Sequence, residues 1–303
     1  MTIKTDSGSA VLGDADGRKR FFKGVLCIVA SAFGFAMMAF FVRLADDYGP
    51  AISCFQKSFF RNAIALAIAL AVLVLPKKAD GRRVETSFKV AMLLVARSVL
   101  GTAGIFANFK AISVIPIGEA MTLNKTAPFF TVLFSWLFLK EKVSRLQAVA
   151  IVAAFAGAVL VMKPGFGIDG SPAHIIALFG GLSAGGAYVC VHQLGRLGYS
   201  GAKTVFFFSV FSCIASLPPA AAMYVPMTLA QAWILVGAGA SAAVGQFGVT
   251  AAYRYAEPRK IAVFDYSNVI FAGVLGFAFF GQMPDLLSMA GFVLILLAAS
   301  ASV

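Results

Sequence analysis

Three basic side chains stand where the chain otherwise reads as hydrocarbon-compatible helix: Arg61 in "FFRNAIALAIAL", Arg97 in "RSVLGTAGIFANFK" and Lys125 in "GEAMTLNKTAPFF". An ionisable group deep in a bilayer costs about 3 kcal/mol on insertion scales, so those retained face a bundle interior or a wet cavity. Counted by helical rise from the expected helix ends, these three fall near the midplane, with Asp265 nearer the inside. Arg43, Lys57, Lys110 and Glu119 lie toward the outside. Three central cations against one central carboxylate favour an anionic guest.

The bland alternative is that an arginine pairs with Asp265, or bonds helix carbonyls, and merely holds helices together. Lys57, Lys110 and Arg43 fit snorkelling to the outer interface, and Glu119 could pair with one of them in a gating or ion-pair role. Lys125 has farther to snorkel and no acidic residue at i±3 or i±4. Pro128, three residues on, removes a helix hydrogen bond, so a kink beside a cavity is expected there.

These side chains need helices to carry them, and helical spacing groups them. Cys54, Lys57 and Arg61 share one face, as do Arg97, Gly101, Gly104 and Asn108. Gln246, Thr250 and Tyr253 follow Gly239 and Ala243 on a third face; Asp265, Asn268, Ala272 and Gly276 form a fourth. Candidate binding residues are therefore Arg61, Arg97, Lys125, Asn124, Asn108, Gln246, Tyr253, Asp265, Tyr266 and Asn268.

The 303 residues are 60% hydrophobic and 13% charged, outside the range of soluble domains. A bilayer core needs about 20 apolar helical residues per crossing, which predicts roughly ten spans. They are expected near 22–43, 52–75, 89–112, 117–139, 144–162, 174–194, 204–223, 228–253, 261–280 and 286–303. The polar start "MTIKTDSGSAVLGDADGRKR" lacks an early apolar core, so a removable signal peptide is not expected. With the N-terminus in the cytoplasm, "RKRFFK", "PKKADGRRVETSFK", "KEKVSR", "GRLGYSGAK" and "RYAEPRK" all fall inside, and Lys163 is the one clear cation outside. That matches the positive-inside bias and accounts for the net charge of +12 without a nucleic-acid partner. A multi-pass protein of a bacterial cytoplasmic membrane, with both termini cytoplasmic, is the expectation.

"FLKEKVSRLQAVAIVAAFAG" aligns with "FFGQMPDLLSMAGFVLILLA" at a constant offset, which also sets Asn124 opposite Asp265 and Lys125 opposite Tyr266. A repeat of five helices must insert in opposite senses in the two halves. The expected division is a cytoplasmic tail over 1–21, one repeat over 22–162 and a second over 173–303.

Catalytic and metal chemistry find little support. "GLSAG", Gly181 to Gly185, fits G-x-S-x-G in letters but lies within an apolar helix, where small residues serve close packing. His174 and His192 sit near opposite ends of one span, too far apart for a metal site or a triad. Cys27, Cys54, Cys190 and Cys213 lie in apolar runs without paired spacing. No P-loop argues for ATP drive. No cofactor, no metal and no catalytic residue is expected, and the protein is not expected to be an enzyme.

The arginine of "FFRNAIALAIAL", the run "RSVLGTAGIFANFKAISVIPIGEAMTLNKTAPFF", then "FLKEKVSRLQ" and "FDYSNVIFAGVLGFAFFGQMP" together resemble the drug/metabolite transporter superfamily, specifically EamA-type transporters with two fused five-helix repeats. The resemblance covers residues 22–303. It implies an all-α membrane protein of ten helices, alternating access and a central cavity, with substrates ranging from amino acids and amines to nucleobases and other metabolites. Lys125 and Gln282 depart from the pattern, where an uncharged and an acidic side chain are usual. The expected function is secondary transport of a small, anionic organic metabolite. The alternative is export of zwitterionic amino acids or amphipathic amines, with Asp265 on an amino group and Phe109 and Tyr253 packing the remainder. A membrane-embedded enzyme or a non-transporting scaffold is the reading from another class. Proton coupling, substrate exchange and a homodimer are all compatible with the sequence.

Overall fold

The computed structural model describes residues 7–75, 87–112, 114, 123–162, 172–280 and 285–301. They form α1 (Ser7–Leu44), α2 (Cys54–Val74), α3 (Phe88–Ile112), α4 (Ala127–Leu139), α5 (Arg145–Met162), α6 (Pro172–Arg196), α7 (Gly201–Ala222) and α8 (Leu229–Tyr255). A one-turn helix, Pro258–Ile261, and a 3-10 turn, Ala262–Tyr266, lead into α9 (Ser267–Phe280) and α10 (Leu286–Ala301). No strand occurs among the described residues. Among the described residues seven helical segments are long and apolar enough to cross a membrane, and Ala127–Leu139, Arg145–Val161 and Leu286–Ala301 are shorter apolar helices.

Local chemistry sets several helix ends. Ser53 caps α2 by accepting from the Gln56 amide, and Thr228 and Gln231 form a reciprocal capping box at α8. Gln231 Nε2 also donates to the carbonyls of Ala45 and Pro50, tying the α1–α2 connection to the start of α8.

The main pairings cross between the halves: α1 packs on α8, α3 on α6, α2 on α7, α5 on α10, α4 on α6 and α9 on α1. Exchanging the first five helices with the last five maps this set of pairings onto itself. Small residues allow the close approach, since helix association in lipid rests on packing rather than on burial from water. A Cβ on Gly34 would lie 2.7 Å from the Gly245 nitrogen, and one on Gly157 would lie 2.7 Å from the Gly291 carbonyl oxygen. Ser31 Oγ donates to the Gly245 carbonyl at 2.7 Å, closing the α1–α8 seam. Large apolar side chains such as Phe88, Trp233 and Leu286 are exposed, as a lipid-facing surface requires.

Two expected spans differ in detail. The fourth does not carry Lys125 in mid-helix: Lys125 and Thr126 form a turn, and α4 begins at Ala127 with Pro128 in its first turn. Proline fits there because the first amides have no intrahelical acceptor, so it starts the helix instead of kinking it. The ninth span is likewise interrupted, by the 3-10 turn that carries Asp265 and Tyr266. Glu119, Lys163 and Gln282 lie outside the described residues.

Candidate functional site

The two interruptions share one local construction. Thr126 Oγ1 donates to the Leu123 carbonyl at 2.5 Å, and Ser267 Oγ donates to the Phe264 carbonyl at 2.7 Å. Each hydroxyl satisfies a carbonyl three residues back that regular helix would otherwise engage. These pairs correspond under the same offset that sets Lys125 opposite Tyr266. The two breaks meet, because Lys125 Nζ lies 3.8 Å from Asp265 Oδ2. Backbone freed inside a membrane is tolerated only against protein or a cavity. Here α6 supplies the protein wall: a Cβ on Gly181 would collide with Thr126 Oγ1 and lie 2.8 Å from the Leu123 carbonyl oxygen. A Cβ on Gly185 would lie 2.7 Å from Phe130 Cβ, and one on Gly180 would lie 3.3 Å from Asn124 Nδ2.

Arg61 of α2 and Arg97 of α3 are 5% and 2% exposed. Among the described residues neither is within ion-pair distance of a carboxylate. Arg97 Nη2 donates to Gln246 Oε1 of α8 at 2.9 Å, and its guanidinium carbon stands 3.9 Å from the centroid of the Phe208 ring. Each arginine lies within electrostatic range of Tyr188 on α6, and Arg61 also feels Arg97. Tyr188 stacks on Tyr253 with ring centroids 5.4 Å apart, and Asp265 acts on Tyr188, Tyr253 and Tyr266. Arg61 Nε, Arg97 Nε, Thr250 Oγ1 and Tyr266 Oη are buried without a hydrogen-bond partner in the protein. Each such atom costs about 1–3 kcal/mol if left unmatched, and two of them belong to the buried arginines.

The structure thus brings together Arg61, Arg97, Lys125, Gln246, Tyr253 and Asp265, whereas the Tyr266 side chain packs in the apolar core with Val132, Ile151 and Ile295. Asn124 sits at the break, against α6. Asn268 is engaged elsewhere, donating to the Ala32 carbonyl of α1 at 2.8 Å. Asn108 Oδ1, on α3, is buried and unpartnered. Lys57 pairs with Asp46 at 2.6 Å, which closes α2 against the end of α1, and Lys110 is exposed. Sequence reasoning missed Tyr188 and Phe208. Tyr188 carried one signal, its spacing from Gly181 and Gly185 along the small-residue side of α6; Phe208 is one of 30 phenylalanines and carried none. No group of three or more metal-ligating side chains occurs among the described residues.

A helical bundle with two abutting helix breaks is a construction that membrane carriers use. The comparisons agree. The EamA-like transporter family model matches residues 22–163 and again 171–303, and the chain belongs to that family. It is a multi-pass membrane protein and a transporter. The pseudopaline exporter CntI of Pseudomonas aeruginosa is 30% identical over 279 residues, covering 92% of this chain and 95% of that protein. A riboflavin transporter of Rhizobium johnstonii is 30% identical over 191 residues, 63% of each chain. One crystal structure, 16% identical, superimposes with a TM-score of 0.78 over 94% of this chain and 97% of its own, which speaks to the fold.

Proposed function

We propose that the protein is a secondary transporter of a small organic anion across a bacterial cytoplasmic membrane, working by alternating access between two inverted five-helix repeats. The repeats would be 22–162 and 173–303, after a cytoplasmic tail over 1–21, giving ten spans with both termini inside. The exchange-symmetric helix pairings support the repeat plan. The observation that carries the substrate class is the pair of buried arginines that have no carboxylate partner among the described residues. An uncompensated buried charge costs about 3–5 kcal/mol, so a site that holds two gains most from an anion that neutralises them. Carboxylate or phosphate oxygens would meet Arg61, Arg97 and Lys125, while the first amides of α4, at Ala127, add their positive end of the helix dipole. Asp265 competes with the guest for Lys125, so the loaded and empty states have different pairings and different energies.

The experiment is thermal stabilisation of the purified protein by dicarboxylates, phosphate esters, amino acids and amines, followed by flux in proteoliposomes. Acidic compounds are expected to raise the melting temperature most. Stabilisation by amines alone would reject the anion assignment. The buried Asp265 among the cations also favours a second reading, a zwitterion whose amino group meets Asp265 and whose acidic group meets an arginine. The name of the relative CntI agrees with outward movement.

A further inference from the structure

His192 lies on α6, one turn beyond Tyr188, and is 5% exposed. Its Nδ1 is 2.7 Å from the Tyr253 carbonyl oxygen, and its Nε2 is 3.1 Å from Glu141 Oε1. A carbonyl oxygen only accepts, so Nδ1 must carry a hydrogen. An imidazole with that single hydrogen turns a lone pair at Nε2 toward a carboxylate, which also only accepts. Two acceptors at that distance repel. The contact closes only when one further proton lies between them, on the ring or on the carboxyl.

The pair also joins three parts of the bundle. Glu141 belongs to the α4–α5 connection, and its other oxygen, Oε2, is buried without a partner in the protein. The carbonyl of the next residue, Lys142, accepts from Arg259 Nη1, and Arg259 also pairs with Glu257 at 2.6 Å. From the α8 side the charged groups around His192 are Glu257, which lies within its electrostatic range, together with Arg259 and Lys260 bound to Glu257. Arg254 packs on Gly195, and Arg196 ends the histidine's own helix. Tyr253 links this cluster to the basic centre, since its carbonyl meets His192 while its ring stacks on Tyr188.

We propose that His192 and Glu141 form a proton-binding site, holding one proton as Nε2–H···Oε1, and that release of this proton to solvent frees the α4–α5 connection from α6 and α8. This rests on the transporter reading only for its purpose, as a proton site linked to opening; the site itself stands on donor and acceptor geometry. Glu141→Gln tests the logic directly. A glutamine amide donates to Nε2 by itself, so the contact survives with a neutral ring and no added proton.

The protein has two histidines, so 15N-histidine NMR of the intact protein resolves His192 by its loss in His192→Gln. With the contact closed the wild type is expected to carry hydrogen on Nδ1 and a second proton at or shared with Nε2, and E141Q is expected to keep the first and lose the second. A ring protonated on Nε2 alone, or one whose nitrogen shifts ignore E141Q, would overturn the proposal. In a cysteine-free background, spin labels at the exposed Ser144 and Tyr255 report the latch. Their separation is expected to grow as the pH is raised in the parent and to stay constant in E141Q; a parent distance that ignores pH would equally overturn it. Neither readout needs a transported compound, so this proposal and the anion assignment fail separately.

Discussion

Arg97 stands over the face of Phe208, guanidinium carbon to ring centroid 3.9 Å, with Nη2 fixed by Gln246 at 2.9 Å. Two contacts thus aim a planar cation that has no carboxylate partner among the described residues, and its Nε is left for something else. Lysine reproduces the charge but neither the stacking nor the forked donors. Arg97→Lys is expected to lower flux of the best acidic compound at least tenfold. Phe208→Leu, which removes an attraction of about 2 kcal/mol when desolvated, is expected to weaken binding several-fold with the charge intact. Binding titrations by melting shift check both, and equal affinity in all three proteins would show that the orientation of Arg97 is irrelevant.

Asp265 is the internal competitor for Lys125, at 3.8 Å. Asp265→Asn keeps the shape and removes the charge. Acidic ligands are expected to bind about tenfold more tightly, a change of about 1.4 kcal/mol. Turnover is expected to fall, because the empty state loses its alternative partner. Melting-shift titration gives the first quantity and proteoliposome flux the second; unchanged values in both would remove the competition.

Gly181 lies against the first helix break, with backbone as well as the Thr126 hydroxyl in the way of any Cβ. A carbonyl oxygen held by its own turn yields little, so Gly181→Ala is expected to destabilise by about 1–3 kcal/mol. Gly17→Ala, on an exposed stretch of α1 with nothing within 4 Å of the added methyl, serves as the control and is expected to leave the melting temperature unchanged.

Partial burial pushes the Glu257 carboxyl up, but the hydrogen bond from Arg259 and the charges of Lys260, Arg259 and His192 outweigh it and hold it below its ordinary value. A depressed carboxyl contributes stability that is present above its unfolded pKa, about 4.3, and lost as pH falls through its folded value. The wild type is therefore expected to lose more melting temperature than Glu257→Gln when the pH drops from 6 to 3. Parallel curves for the two proteins would assign the pair no stabilising role, which is the usual fate of an exposed ion pair.

What the sequence by itself determined is the class of protein, and it singled out the three basic residues that the structure buries near one another. A bilayer penalises each polar group where it stands, so apolar length, loop charge and cations within apolar runs are local quantities that can be counted along the chain. The family resemblance and the offset between the halves were legible for the same reason: both are matters of order and spacing. Tertiary structure decided what those groups do with one another. The 3-10 turn "AVFDY" contains neither glycine nor proline, so its break follows from packing on α1, α4 and α5 rather than from propensity. Asn268 looked like a pore residue but bonds the Ala32 carbonyl, Lys57 found Asp46, and Tyr188 became the neighbour that both arginines share. Partner choice of this kind depends on which helices touch. That is set by small-residue seams spread over the whole bundle, and helical periodicity within one span carries no record of it.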